Sequence, residues 1–171
     1  MLRARRVARP GVARPNASPS LKAIAIRLLA RREYGRLELA ERLRAKGGER
    51  EVIERVLDEL TALGYLSDAR FAHALVAQRA GRYSQRAIAH ELKDRRVADD
   101  AARAALGALA GRDELPEATA LWQRRFGEPP RDQREKARQM RFLLSRGYSM
   151  SVALKVLRTA GVSLADDDPA V

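Results

Sequence analysis

Apolar residues recur at helical spacing along most of the chain, in short runs that end at glycine. In one such run, Leu57, Leu60 and Leu63 follow one another at intervals of three residues, and Gly64 comes next. Spacing of three or four residues is typical of a helix with one buried face. A glycine just past the last apolar position is typical of a helix end. The pattern therefore predicts short helices, about three in every 45 to 50 residues.

The apolar pattern also repeats. A shift of 49 residues aligns Leu43 with Leu92, and a shift of 100 residues aligns Lys46-Gly47 with Arg146-Gly147. Agreement at such anchors, with free variation between them, indicates a repeated packing unit. We therefore predict an all-α fold of three tandem three-helix repeats, similar to helix-turn-helix units, in an elongated and curved array. The predicted segments are a flexible Arg-rich arm (1–17), the repeats 18–66, 67–114 and 115–162, and an acidic tail (163–171).

The stretch GYLSDARFA predicts the joint between the first two repeats. We expect Gly64 to end a helix and Ser67 or Asp68 to cap the next one, because short polar side chains accept hydrogen bonds from free backbone N–H groups. We expect Tyr65 and Leu66 to pack under the turn, and a binding role for Tyr65 or Phe71 is the alternative. Phe71 should open the buried stripe of the following helix.

Three other boundaries follow from the same signals. Ser18-Pro19 predicts the start of the first helix, with proline at the first helical position. Ser84 is a predicted N-cap. The segment 127–130, which contains two prolines and a glycine, predicts a loop between the first two helices of the third repeat.

The charge of the chain points to a polyanionic partner. The net charge is +12 and the isoelectric point is near 11.0, a balance that favours nucleic acid. Residues 115–162 hold ten basic and four acidic side chains, whereas residues 19–68 hold ten and nine. The third repeat, and the arm with it, should therefore face the polyanion.

A search for catalytic chemistry finds no motif. The two histidines, His73 and His90, are 17 residues apart and the chain has no cysteine, so we expect no metal ion, no cofactor and no small-molecule substrate. The absence of cysteine fits a reducing, cytoplasmic setting. No run of 18 apolar residues is present, so we expect no contact with a membrane.

Two groups of basic residues are candidates for the polyanion contact. The first surrounds Tyr83 in the second repeat, and the second lies on one helix of the third repeat, where the spacing i, i+4, i+7 places arginines on one face. Tyr83 could stack on a base or pack inward, and the sequence leaves both open. The candidates are Arg82, Tyr83, Arg86, Lys93, Arg95, Arg96, Arg134, Arg138 and Arg141. The opposite side of the third-repeat helix should give Ala137, Met140, Leu143 and Leu144 to the core.

With these features, the chain resembles the bacterial RecX regulatory proteins from about Ala25 to Gly161. The junction carries the resemblance most specifically, and Tyr83, Ser84 and Leu92 also match. The third repeat matches mainly by spacing. The matching junction residues are Gly64, Tyr65, Leu66, Asp68, Arg70, Phe71 and Ala72. Two residues depart from the pattern: Gly48 stands where an apolar anchor is usual, and Gly35 stands where serine is common.

The resemblance implies a non-enzymatic modulator of the RecA recombinase, active in recombination, DNA repair and the SOS response. Such proteins are curved helical arrays that lie in the groove of the RecA filament on single- or double-stranded DNA. They damp its ATPase and strand exchange. We expect this chain to act as a monomer, with the basic candidates facing the filament or its DNA.

Two other classes of function stay open from the sequence. Each repeat has the size of a helix-turn-helix, so the chain could bind DNA directly. Against this, two of the third helices open with acids, such as Asp99 and Asp100, which phosphates repel. A helical adaptor that binds only protein would show little salt dependence, which the charge of +12 disfavours.

Overall fold

The computed structural model describes residues 19–161, and every regular element in this range is helical. A short 3₁₀ turn at Gly107–Leu109 follows the sixth helix. The all-α prediction with three three-helix repeats is confirmed. The predicted arm and tail lie outside the described residues. The helices are α1 (Leu21–Leu29), α2 (Arg36–Arg44), α3 (Arg50–Ala62), α4 (Asp68–Arg79), α5 (Gln85–Asp94), α6 (Asp99–Leu106), α7 (Glu114–Arg125), α8 (Gln133–Ser145) and α9 (Met150–Thr159).

The helices form three units, each with its own hydrophobic core. We call α1–α3 unit one, α4–α6 unit two and α7–α9 unit three; extensive helix packing occurs within each unit. Burying one large aliphatic side chain contributes about 1.5–3 kcal/mol, so each core stabilises its own unit. The larger core residues include Tyr34, Leu39, Leu43, Ile53, Leu57 and Leu60 in unit one; Phe71, Leu75, Val76, Ile88 and Leu92 in unit two; and Leu121, Trp122, Leu143, Tyr148, Val156 and Leu157 in unit three.

The first helix begins later than the sequence predicted. Ser18 lies outside the described residues, and Pro19 precedes the helix. The cap is Ser20, whose Oγ accepts a hydrogen bond from the Ala23 N–H at 3.2 Å. A serine hydroxyl can satisfy a free N–H of the first turn. The helix therefore begins after Ser20 and not at Pro19. The prediction for Ser84 is confirmed, because its buried Oγ accepts from the Ala87 N–H at 3.2 Å.

The turn after α3 corrects a second expectation. Leu66 is buried, but the Tyr65 side chain is 53% exposed and Leu63 is 56% exposed. The backbone N–H groups of Tyr65 and Leu66 both donate to the Leu60 carbonyl, at 2.9 and 3.1 Å. This tight turn brings Leu66 to the core and leaves Tyr65 on the outside. The prediction that Tyr65 packs under the turn is therefore wrong.

The buried face of α8 matches the prediction in part. Leu143 is buried and Met140 packs against the same core, but Ala137 is exposed, so the prediction for Ala137 is wrong. A polar residue, Gln139, is buried instead. Its Oε1 accepts from the Trp122 indole N–H at 2.8 Å and its Nε2 donates to the Glu128 carbonyl at 3.2 Å. Because both ends of the amide are satisfied, its burial costs little.

The missing anchor at Gly48 leaves no gap. A Cβ placed there would lie 2.8 Å from Leu21 Cδ1 and 3.0 Å from Ile53 Cγ1. These side chains already occupy the space that an apolar residue at this position would need.

Candidate functional site

The clearest candidate surface lies on α8, where Arg134, Arg138 and Arg141 are exposed. We call these three side chains the α8 arginine face. Arg138 lies 3.6 Å from Glu135, at the edge of ion-pair distance. Among the described acids, Arg134 and Arg141 have none within salt-bridge distance. Exposed guanidinium groups without acidic partners are available to bind phosphate or carboxylate.

The α8 arginine face borders a shallow cleft with an aromatic floor. The rings of Phe126 and Phe142 meet edge to face, with centroids 5.4 Å apart. The guanidinium groups of Arg125 and Arg138 each lie 5.8 Å from the Phe126 centroid. We call this the Phe126 cleft. Its lining consists of Arg125, Phe126, Arg138, Arg141, Phe142 and Ser145.

Sequence reasoning missed the Phe126 cleft because the loop before α8 brings its two aromatic residues together. A local signal was present: each of the chain's three phenylalanines follows an arginine. Such Arg-Phe pairs indicate that a guanidinium lies beside an aromatic ring. They do not indicate which rings contact each other.

Units two and three meet through backbone contacts that Ser84 and Gly147 make possible. The Ser84 N–H donates to the Arg146 carbonyl at 3.0 Å, and the Arg86 guanidinium donates to the Gly147 carbonyl at 3.2 Å. A Cβ at Gly147 would lie 2.5 Å from Ala87 Cβ and 2.6 Å from Ser84 Oγ. Only glycine allows this close approach. The Arg124 guanidinium adds a hydrogen bond to the carbonyl of Gly81, at 3.0 Å.

Tyr83 lies at the same junction, and its surroundings favour the interpretation that it packs inward. The ring is half-buried against the core of unit two. Arg146 of unit three lies 4.8 Å from its centroid, and Arg79 lies 5.6 Å away. Cations close to an aromatic ring are attracted to its face. Tyr83 therefore packs between units.

Units one and two are joined by charged and polar contacts. Asp68 Oδ1 accepts a hydrogen bond from the Arg36 N–H at 3.0 Å, so it caps α2, whose own N-cap residue, Gly35, has no side chain to do so. The Arg70 Nε donates to Glu33 Oε1 at 2.7 Å. Ser67, and not Asp68, caps α4.

Arg95 completes this junction. Its guanidinium pairs with Glu91 at 2.9 Å and with Glu38 of unit one at 3.5 Å, and it lies 5.7 Å from the Phe71 centroid. Burial opposes the ionisation of Glu38, but the hydrogen bond from Arg32 and the nearby positive charges give a net lowering of its pKa. Hydrogen bonding from Arg79 lowers the pKa of Glu91. Both carboxylates are therefore held ionised.

Three candidate residues from the sequence, Tyr83, Arg86 and Arg95, lie in the junctions between units. Arg86 is nevertheless exposed, and so are six other basic side chains; all seven stay candidates for a polyanion contact. The six others are Arg82, Lys93 and Arg96 in unit two, and Arg134, Arg138 and Arg141 in unit three.

Residues 19–161 hold neither a metal-binding cluster nor a membrane-spanning helix. No three His, Cys, Asp or Glu side chains in this range cluster closely enough to hold a metal ion. None of its helices is both long and apolar enough to cross a membrane.

Comparisons with known proteins give the same family for all three units. Family models described as the first, second and third three-helix domains of RecX match residues 22–60, 67–106 and 113–157. A curated protein of Leptothrix cholodnii, named regulatory protein RecX, is 48% identical over 82% of this chain and 89% of its own length. The protein of the same name from Ralstonia nicotianae is 38% identical over 94% of this chain and 100% of its own length.

A solved structure shows the same fold. The crystal structure of RecX from Lactobacillus salivarius matches with a TM-score of 0.60, covering 82% of this chain and 94% of the other at 16% identity. The curated relatives, above 30% identity and over most of the chain, give the family. With the three domain matches in order along the sequence, this chain belongs to the RecX family of regulatory proteins.

Proposed function

We propose that this chain regulates the RecA recombinase without catalysis, by binding the RecA filament on DNA and damping its ATPase and strand exchange. The family supports a regulatory role. The observation that carries the proposal on this chain is the α8 arginine face, which presents three exposed guanidinium groups on one helix. In this account the face contacts the polyanionic part of the filament, either its DNA or an acidic strip of its protein.

The distribution of ion pairs supports this placement. Basic side chains in unit one pair repeatedly with acids, as in Arg36 with Glu54 and Asp58, at 2.6 and 2.7 Å. Such pairs leave little net field outside the molecule. The α8 arginine face carries more net positive charge. Association with a polyanion through this face should be fast and should weaken as salt rises.

The test is the RecA ATPase on single-stranded DNA, measured while this protein is titrated in. Binding to the naked DNA is measured at the same salt concentration. We expect the ATPase to fall at protein concentrations too low to coat the free DNA. An unchanged ATPase together with strong binding to naked duplex would contradict the proposal and favour a helix-turn-helix protein that binds DNA directly.

A further inference from the structure

The turn after α3 exposes two large apolar side chains, one on each side of Gly64 in the sequence. Leu63 is 56% exposed and Tyr65 is 53% exposed. Met150, at the start of α9, is the other large apolar residue of the described chain with comparable exposure, at 53%. We call Leu63 and Tyr65 the α3 turn pair. A single exposed apolar residue is ordinary, but two on one tight turn, one of them aromatic, are the kind of feature that marks a contact surface.

The backbone that carries the α3 turn pair is held rigidly. The Arg70 guanidinium donates to the carbonyls of Gly64 and Tyr65, both at 3.0 Å, while its Nε is held by Glu33. Leu66, the next residue, is buried in the core of unit one. A preorganised turn loses little entropy when it binds. A tyrosine on such a turn has the properties of a binding hot spot, because its large ring has few rotatable bonds.

The charges around the α3 turn pair disfavour nucleic acid. Helix α3 has four acids and two arginines, so it is net negative. The cations that approach it from neighbouring elements are already paired: Lys22 contacts Glu59, and Arg36 contacts Glu54 and Asp58. Arg70, at the turn itself, is paired with Glu33. Phosphates would be repelled by the helix and would find these cations occupied. The fitting partner is a protein surface with an apolar pocket and a neutral or basic rim.

We propose that the α3 turn pair is a protein-contacting anchor, which inserts Tyr65 and Leu63 into an apolar pocket on the protein component of the filament. The inference rests on the proposed function and assigns filament binding to two separate surfaces. Unit one supplies an apolar contact to protein, and unit three supplies a charged contact to the polyanion. Apolar burial does not weaken as salt rises, whereas charge pairing does, so the two contacts have different signatures.

The experiment compares L63A/Y65A with M150A, whose side chain is equally exposed but lies in unit three. Since the chain has no cysteine, a single cysteine at exposed Ala108 carries a dye without perturbing either site. Fluorescence anisotropy then measures the affinity for RecA filaments assembled on single-stranded DNA, and for the same DNA without RecA. Circular dichroism checks that each variant keeps its helix content.

We expect L63A/Y65A to lose at least tenfold in filament affinity, because truncation of a hot-spot aromatic removes much of the energy of an interface. Its affinity for naked DNA and the salt slope of filament binding should stay unchanged. M150A should stay within twofold of the unaltered protein. Y65F should also bind normally, since the pocket recognises the ring.

Three outcomes overturn the inference. The first is a filament affinity of L63A/Y65A within twofold of the unaltered protein. The second is an equal loss in naked-DNA affinity, which would make the pair a nucleic-acid contact. The third is a failure of the unaltered protein to bind filaments at all, which overturns the proposed function as well; the first two leave that function standing.

Discussion

Units one and three are built on the same three-helix plan, yet their surfaces differ in charge. Helix α3 of unit one has four acids and two arginines, whereas its counterpart α9 in unit three has two basic residues and no acid, and α8 has four basic residues and one acid. In unit one the cations Lys22 and Arg36 are held by acids of α3. In unit three, Arg134 and Arg141 have no acidic partner within ion-pair distance among residues 19–161. The comparison shows that the repeated plan constrains the core residues, whereas the surface residues of each unit can differ and bind different partners.

The largest expected effect is a difference in stability loss between two equivalent glycines, one in unit one and one in unit three. Gly147 of unit three and Gly47 of unit one both have positive φ angles, +89° and +84°. At Gly47 a Cβ would meet nothing within 4 Å, so G47A should cost only the left-handed strain of about 1–2 kcal/mol. G147A adds the clash with Ala87 and Ser84, which costs about 1–3 kcal/mol more. Chemical denaturation measures both variants; equal losses would contradict the close approach at Gly147.

The second effect concerns the cap that crosses from unit two to unit one. D68A removes the acceptor of the Arg36 N–H and should lower the free energy of unfolding by about 1 kcal/mol, the usual value of a lost helix cap. The control is D99A, which replaces an aspartate at the same first position of α6. It removes only a favourable interaction with the helix dipole, of about 0.3–1 kcal/mol. The comparison fails if D68A costs no more than D99A.

The smallest effect is the pH dependence of the junction between units one and two. Glu38 and Glu91 have folded-state pKa values below the ordinary value of 4.5. Because these pKa values are lowered, their stabilisation is fully present above pH 4.5 and is lost as the pH falls through the folded values. The loss should be about 1 kcal/mol or less, since both side chains are partly exposed.

The pH prediction is checked by urea denaturation between pH 6 and pH 3 for the unaltered protein and for E38Q/E91Q. The variant should be less stable at pH 6 and should lose less stability on acidification. Parallel pH profiles for the two proteins would show that these carboxylates do not carry the dependence.

The sequence was sufficient where structure follows from local rules. The spacing of Leu57 and Leu60 and the stop at Gly64 predict α3, because a buried helical face and a helix end both have short-range signatures. The cap at Ser84 was predictable for the same reason. The α8 arginine face was also predictable, since residues at i, i+4 and i+7 share a side of any helix.

What the sequence could not predict depends on contacts between distant residues. Tyr65 and Leu66 are adjacent and both apolar, and only the path of the turn decides that Leu66 is buried and Tyr65 exposed. Arg95 meets Glu38 across 57 positions, so a candidate for phosphate contact lies in a junction instead. The Phe126 cleft likewise needs α7 and α8 to be packed before its aromatic floor exists.

The most direct test of the central claim reverses charge on each of the two units. R134E/R138E changes the α8 arginine face, and R44E/R50E makes the same change in net charge at exposed arginines of unit one. Filament affinity is measured for both across a range of salt concentrations. We predict that R134E/R138E loses at least tenfold, with a salt slope lower by about two, while R44E/R50E stays within threefold. Equal losses for the two variants, or none for R134E/R138E, would contradict the account.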